Sequence, residues 1–239
     1  MLREYLSVGG FPEVYKFGKS ILHRLFNDII TKDILLRHKI KKSNEIKMLA
    51  NYLITNFTGE ISYSRMVKLF NIKHVSTLSK WLSYLEESFL IFKLQRFSFK
   101  LKEQYLATKK VFAIDNGIIL STGFLFGENS GKLMENCVAV ELQRKVAEQP
   151  GMEIYYWKDY RQHEVDFIIK NAKHVEQLIQ VTWATTKEEI KEREVKSLVI
   201  ACDELYCRNL LIITWDYESE AKISGKKITF IPLWKWLTG

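Results

Sequence analysis

The order of the secondary-structure elements predicted for residues 107–239 constrains the fold more than any other feature of this 239-residue chain. A strand is predicted at 110–115, where consecutive apolar residues indicate burial on both faces. The elements that follow are a long helix at 131–149, strands at 153–158, 165–170 and 177–183, a helix at 186–201, strands at 210–215 and 227–233, and a short end helix. This alternation predicts an α/β domain with a mixed sheet.

Composition excludes several classes of protein. The chain is 47% hydrophobic and 27% charged, as in globular rather than disordered proteins. No apolar run approaches the about 20 residues that cross a bilayer, and the first residues do not resemble a signal peptide. We therefore expect a cytoplasmic protein without a membrane partner. Cys137, Cys202 and Cys207 lack metal-binding spacing, so reduced thiols are expected.

The net charge favours a polyanionic partner. Lys and Arg total 36 against 28 Asp and Glu, which gives +8. Lys and Arg side chains that neutralise phosphates release counterions, and this release drives DNA binding. The alternative is an ordinary basic surface, so the position of the cations on the predicted elements must decide between the two.

Residues 1–43 are predicted to be helical and to contain one turn between helices. Apolar residues at i, i+3 and i+4 spacing predict a helix over 20–37. Before this helix, Gly9 and Gly10 permit a backbone turn that other residues resist, and Pro12 suits the first turn of a helix.

Residues 44–106 carry the pattern of a winged helix-turn-helix. Helices are predicted at 45–57, at 63–70 with Ser62 as its cap, and at 75–88, followed by an apolar strand and a basic segment returning as a strand. The third helix exposes short hydrogen-bonding side chains and one cation, which suit a major groove, at Ser76, Thr77, Ser79, Lys80 and Ser83. The predicted wing interleaves Lys93, Arg96, Lys100 and Lys102 with Phe97, Phe99 and Tyr105. The alternative is a winged helix that serves as a protein–protein adaptor.

The order αβββαβ, beginning with the helix at 131–149, is the layout of a restriction-endonuclease-like core. Such a core binds a divalent cation, with Mg²⁺ the candidate here, through oxygen ligands. The candidate metal ligands are Asp166 and, on the next strand, Gln180 at the acidic position. Thr182 occupies the lysine position and shares a strand face with Gln180, but it cannot supply an ammonium group.

Other side chains compete for roles in this predicted nuclease-like site. Glu135 is preferred over Glu141 as the helix carboxylate because it lies near the start of the helix. Lys158 or Lys170 could replace the missing lysine. For two further candidates we expect structural roles: Asp115 caps a turn, and His163 is an exposed hairpin residue.

Five short motifs occur in a defined order along the chain. They are YLSVGGFPEV at 5–14, TKDI at 31–34, KVFAIDNG at 110–117, ENCV at 135–138, and YW at 156–157 with EVDF at 164–167. In this order they resemble a prokaryotic AAA-type ATPase family, common in archaea, whose carboxy-terminal half is a domain of unknown function. The resemblance implies an ATPase-lid remnant at 1–43, a winged helix at 44–106 and a PD-(D/E)xK nuclease-like domain at 107–239.

Three functions remain open from the sequence. Since the chain has no GxxxxGK[ST] motif, we expect no ATP site in it, and we expect a fragment, a truncated reading frame or a stand-alone remnant. The first hypothesis is a DNA-binding accessory module of the ATPase with an inactive nuclease-like domain. The second is a region that docks the ATPase core or a second copy of the chain. The third is a metal-dependent DNA endonuclease that uses Glu135, Asp166 and Gln180.

Overall fold

The computed structural model describes residues 2–239 and confirms the α/β class. The polypeptide divides into two compact units. The first comprises the chain up to Lys93 together with Thr108–Val140, and the second comprises Leu94–Ala107 together with Glu141–Gly239. Among residues 2–239, no helix is both long enough and apolar enough to cross a membrane.

Most predicted helices and strands form within a few residues of their expected bounds. The helices are α1 (Leu2–Val8), α2 (Glu13–Phe17), α3 (Ser20–Asp28) with a π-helical continuation (Ile29–Leu36), α4 (Ser43–Thr55), α5 (Tyr63–Leu69), α6 (Val75–Glu87), α7 (Leu101–Leu106), α8 (Asn116–Thr122), α9 (Ser130–Glu148), α10 (Glu192–Glu204) and α11 (Leu233–Thr238). The strands are β1 (Glu60–Ile61), β2 (Ile91–Arg96), β3 (Lys109–Ala113), β4 (Met152–Lys158), β5 (Glu164–Asn171), β6 (His174–Val181), β7 (Leu210–Thr214), β8 (Ser219–Ile223) and β9 (Lys226–Pro232).

One apolar core holds the first unit together. The predicted helix over 20–37 forms as α3 and its π-helical continuation, and Leu22, Phe26 and Ile30 on its apolar stripe are buried. They belong to the same buried cluster as Leu49 of α4 and Val111 of β3. The compact units therefore do not divide at residues 43 and 106, because the apolar stripe of α3 finds its partners beyond its own segment.

The central part of the first unit has the predicted succession of helices. Helix α6 buries Leu78, Leu82 and Leu85, as its 3.6-residue periodicity requires. Ser62 lies at the start of α5, but its side chain contacts the Ser64 hydroxyl and makes no capping bond to the helix, which corrects the predicted cap.

Three strands accompany these helices within the first unit. β1 pairs antiparallel with β3, where Glu60 lies opposite Lys110. The start of β2 follows on the other side of β3, where Phe92 stacks on Phe112 with ring centroids 5.4 Å apart. The strand order here is therefore β1-β3-β2.

The segment predicted as the returning strand of a wing is not a strand. The end of β2 pairs parallel with β4 in the second unit, with Gln95 opposite Tyr155, and the chain then forms α7. The Ser98 hydroxyl accepts a hydrogen bond from Lys100 N at 3.1 Å and donates to Glu103 at 2.7 Å. These local side-chain bonds satisfy groups at the start of α7, which favours a helix over an extended strand.

The second unit is built on a mixed sheet, as predicted. Its strand order is β2-β4-β5-β6-β7-β9-β8, with antiparallel pairing from β4 to β6 and parallel pairing from β6 through β7 to β9. β8, which the sequence prediction lacked, pairs antiparallel with β9. α10 begins at Glu192 rather than 186 and packs on β5 and β6.

Candidate functional site

Asp166 on β5 and Gln180 on β6 meet in the second unit. The antiparallel register places Phe167 opposite Ile179, and hence Asp166 opposite Gln180. Gln180 Nε2 donates to Asp166 Oδ2 at 2.8 Å, and Val181 N donates to the same oxygen at 2.9 Å. Asp166 is 7% exposed and Gln180 is 6% exposed. The structure thus brings these two predicted site residues together in a buried setting.

Glu194 on α10 joins this pair, and the sequence prediction missed it. Burial raises the pKa of the Glu194 carboxyl above its usual value, a hydrogen bond from the Thr182 side chain partly offsets the rise, and the charge of Asp166 adds to it. Lys191 Nζ lies 3.9 Å from Glu194 Oε1. Since the charge of Asp166 raises the pKa of Glu194, the carboxylates of Asp166 and Glu194 are near enough to repel each other.

The sequence held one signal for Glu194. It precedes the buried Leu198 by four residues, so both lie on the inward face of α10. The nearby acidic residues Glu188, Glu189 and Glu192 are exposed. Because four glutamates lie within seven residues of sequence, the pattern alone does not show which of them points inward.

Two oxygens of this cluster have no partner. Gln180 Oε1 and Glu194 Oε2 are buried and accept no hydrogen bond from any residue in the range 2–239. A buried acceptor without a donor costs about 1–3 kcal/mol, and such atoms are rare in native proteins. The same residue range holds no group of three His, Cys, Asp or Glu side chains suited to a metal. The donor set is instead two carboxylates and one amide, which are the hard oxygen ligands that Mg²⁺ and Mn²⁺ accept.

The predicted substitutes for the missing lysine have carboxylate partners of their own. Lys158 lies 3.3 Å from Glu164, and Lys170 pairs with Glu153. Neither of these ion pairs includes a member of the Asp166, Gln180 and Glu194 cluster.

Glu135, the predicted helix carboxylate, lies in the first unit, whereas Asp166 and Gln180 lie in the second. Its carboxylate accepts a hydrogen bond from Lys110 Nζ at 2.9 Å, and the Lys110 side chain is 4% exposed. This partner gives Glu135 a structural role in joining α9 to β3. Glu141 makes a surface ion pair with Arg144 at 3.3 Å.

Asp115 has a capping role, but it caps helix α8 rather than the predicted turn. Asp115 Oδ1 accepts from Ile118 N at 3.1 Å at the start of α8, and its Oδ2 accepts from Gly10 N at 2.6 Å. A Cβ atom at Gly117 would lie 2.1 Å from Val8 O. The GGFP and IDNG motifs therefore interlock as a structural feature of the first unit.

Asn136 of the ENCV motif also has a structural role. Its fully buried amide accepts from Ala113 N at 2.9 Å and donates to Ala113 O at 2.9 Å and to Asn116 Oδ1 at 3.0 Å. The predicted exposed position of His163 is wrong: its ring is partly buried and lies 2.7 Å from Asp159 Oδ2.

The predicted groove-facing residues lie in the first unit on α6. Ser76 and Lys80 are exposed, and Thr77 and Ser79 are half-buried. Lys93, by contrast, pairs with Glu86 at 2.8 Å and contacts the Tyr63 hydroxyl at 3.4 Å. The prediction omitted three further exposed cations that flank α6 in sequence, at Arg65, Lys68 and Lys73.

The remaining predicted DNA contacts, Arg96, Lys100 and Lys102, belong to the second unit. Arg96 and Lys100 line a pocket of about 230 Å³ together with Phe97, Phe99, Trp157 and Glu204. Lys100 pairs with Glu103 at 3.2 Å, and Lys102 is exposed. The pocket thus carries charges of both signs, so it does not by itself indicate a polyanion.

Comparison with known proteins places the chain in a family. Residues 1–126 match the domain of unknown function DUF8612, and residues 130–236 match the domain of unknown function DUF4143. An uncharacterized protein of Methanocaldococcus jannaschii is 34% identical over 98% of this chain and 55% of its own length. An uncharacterized protein of Haemophilus influenzae is 27% identical over 97% of this chain and 56% of its own length.

The chain therefore spans little more than half the length of these curated relatives. A weaker similarity is to a chain in a solved assembly of Thermococcus gammatolerans McrB AAA+ hexamers with bound McrC. It covers 77% of this chain and 46% of that chain, with 12% sequence identity and a TM-score of 0.32. This value is too low to define a shared fold. The match over more than half of its residues shows that the chain belongs to the DUF8612 family.

Proposed function

We propose that this chain is a DNA-binding region of an AAA-type ATPase and that helix α6 enters the major groove. Support comes from the succession α4, β1, α5, α6, β2 and β3 and from the strand order β1-β3-β2, which resemble a winged helix-turn-helix with α7 inserted between β2 and β3. The association with an ATPase is supported by the match to DUF4143, a domain found in the carboxy-terminal regions of AAA-type ATPases.

The distribution of charge around α6 carries the proposal. Residues 61–85 contain no Asp or Glu, but they contain Arg65, Lys68, Lys73 and Lys80. These four side chains are exposed, and within residues 2–239 no ion pair is found for any of them. The amino-terminal end of the 13-residue helix α6 adds a partial positive charge next to Lys73. A segment with exposed, unneutralised cations and no carboxylates suits contact with the phosphates that border a groove.

A competing function as a docking region for the ATPase core has less support. That hypothesis predicts an exposed apolar face on residues 20–37. Leu22, Phe26, Ile30 and Ile34 on this segment are buried within the first unit. The apolar face that would bind a partner is thus already covered by the chain itself.

Replacing Lys80 with alanine should weaken binding to duplex DNA of any sequence. The slope of log K against log salt concentration is negative, and the loss of one phosphate contact reduces its magnitude by about 1. The measurement is fluorescence anisotropy of labelled duplex DNA over a salt series with the full chain. Lys19→Ala is the matched control, because Lys19 is also exposed but lies outside α5 and α6.

The Lys19→Ala variant should bind like the wild type. Equal losses in the two variants would mean that binding depends on net charge alone and would overturn the assignment of α6. Absence of salt-dependent binding by the wild type would overturn DNA binding altogether.

A further inference from the structure

We propose that the second unit binds one divalent cation, of the Mg²⁺ or Mn²⁺ type, through Asp166, Gln180 and Glu194. Glu194 supplies, from α10, the second carboxylate that the nuclease-like pattern would place at residue 180. This inference concerns a site other than the DNA-binding surface proposed above and does not depend on it.

The backbone places the three side chains together. Asp166 and Gln180 lie opposite each other on β5 and β6 and are linked by a 2.8 Å hydrogen bond. Gln180 and Thr182 are two residues apart along the chain, so their side chains project to the same side. α10 packs on β5 and β6, the strands that carry Asp166 and Gln180, and Glu194 lies on the same face of α10 as the buried Leu198. It lies close enough to Asp166 for the charge of that carboxylate to raise the pKa of Glu194.

The unpartnered oxygens indicate that a ligand belongs here. The hydrogen bond from Gln180 Nε2 to Asp166 orients the amide, which leaves Gln180 Oε1 without a donor in a residue that is 6% exposed. Glu194 Oε2 is buried and unpartnered as well. Within residues 2–239 no hydrogen-bond donor satisfies either acceptor, and both are hard oxygen ligands of the kind that a divalent cation binds.

The charges select the kind of cation. Two carboxylates match the charge of a divalent ion and remove the repulsion between Asp166 and Glu194. Three oxygen ligands leave the other coordination positions to water, which suits Mg²⁺ or Mn²⁺ better than the larger Ca²⁺ with its greater number of protein ligands.

The proposal is tested by titrating the chelator-treated full chain with MnCl₂ in a calorimeter. We expect one Mn²⁺ per chain with a Kd on the order of 1 mM or tighter. Glu194→Gln should weaken binding by more than the about tenfold that loss of a supporting residue costs. Glu192→Gln is the matched control, because Glu192 lies on the same helix turn but is exposed, and this variant should bind as the wild type does.

Thermal unfolding separates loss of the site from loss of the fold. In chelator, Glu194→Gln should unfold at a temperature no lower than that of the wild type, because the change removes a buried charge. Mn²⁺ should raise the unfolding temperature of the wild type and of Glu192→Gln, but not that of Glu194→Gln. The proposal is overturned if Mn²⁺ neither binds nor stabilises the wild type, or if Glu192→Gln loses as much affinity as Glu194→Gln. DNA binding measured in chelator reports separately on the surface around α6.

Discussion

Replacement of Gly117 by alanine is expected to destabilise the first unit by about 3 kcal/mol or more, since it inserts an atom where none fits. The added Cβ would lie 2.1 Å from Val8 O, 2.7 Å from Leu22 Cδ1 and 2.8 Å from Asp115 Oδ1. In a helix, alanine is otherwise favoured over glycine by roughly 0.5–1 kcal/mol. Because Val8 O is a backbone atom that cannot rotate away, the steric cost exceeds this gain.

Urea unfolding of the full chain measures the effect, with Gly127→Ala as the control. Gly127 has a positive φ of 67°, but no atom lies within 4 Å of the position of its added Cβ. Only conformational strain remains there, so a loss of about 1 kcal/mol is expected. If the two variants lost equal stability, the interlock between the GGFP and IDNG motifs would not be a significant source of stability.

Asn136→Asp is expected to lower the free energy of unfolding by about 3–5 kcal/mol at neutral pH, because it leaves an uncompensated buried charge. The Asn136 side chain is fully buried, and its Nδ2 donates to Ala113 O and Asn116 Oδ1. A carboxylate oxygen at that place faces two acceptors and loses both hydrogen bonds. Only the bond from Ala113 N to the other oxygen would remain.

The loss in Asn136→Asp should diminish as the pH falls. Burial beside two acceptors holds the pKa of the introduced carboxyl above its value in the unfolded chain. The folded state then binds the proton more tightly, so the variant recovers stability as the pH falls from the folded pKa toward the unfolded one. Urea unfolding at neutral and mildly acidic pH measures this recovery relative to the wild type.

Asn51→Asp provides the matched control, since Asn51 is exposed on α4 and the same change there should show no such recovery. A loss in Asn136→Asp that stayed constant with pH would contradict the assignment of Asn136 as a buried donor. The ENCV motif would then need an explanation other than the anchoring of α9 to the end of β3.

The sequence alone predicted the elements whose pattern is local. The stripe of α6 repeats every 3 to 4 residues at Leu78, Leu82 and Leu85, and the uninterrupted apolar run of β7 is buried throughout. Both periods are set by backbone geometry within a few residues, so they can be recognised in the sequence without knowing which element packs against them. The predicted returning strand of the wing is wrong. Hydrogen bonds of the Ser98 side chain favour the start of α7 there, and hydrophobic alternation does not reveal them.

Only part of the candidate site could be predicted from the sequence, because local patterns do not determine all of its members. Asp166 and Gln180 were predicted together because they occupy the two acidic positions of the nuclease-like pattern on consecutive strands, whereas their register depends on an irregularity between Ile169 and Lys170. Glu194 could not be singled out, because which of four acidic residues turns inward depends on how α10 packs over the sheet.

Contacts between distant parts of the chain were decided by the tertiary structure alone. Asp115 meets Gly10 across 105 residues, and Glu135 meets Lys110 across 25. The composition and periodicity around these residues are compatible with a catalytic role as well as with a structural one. The sequence by itself determined which helices and strands form, since these follow from local backbone geometry. The tertiary structure alone decided which polar side chains contact each other, because their partners are distant in sequence.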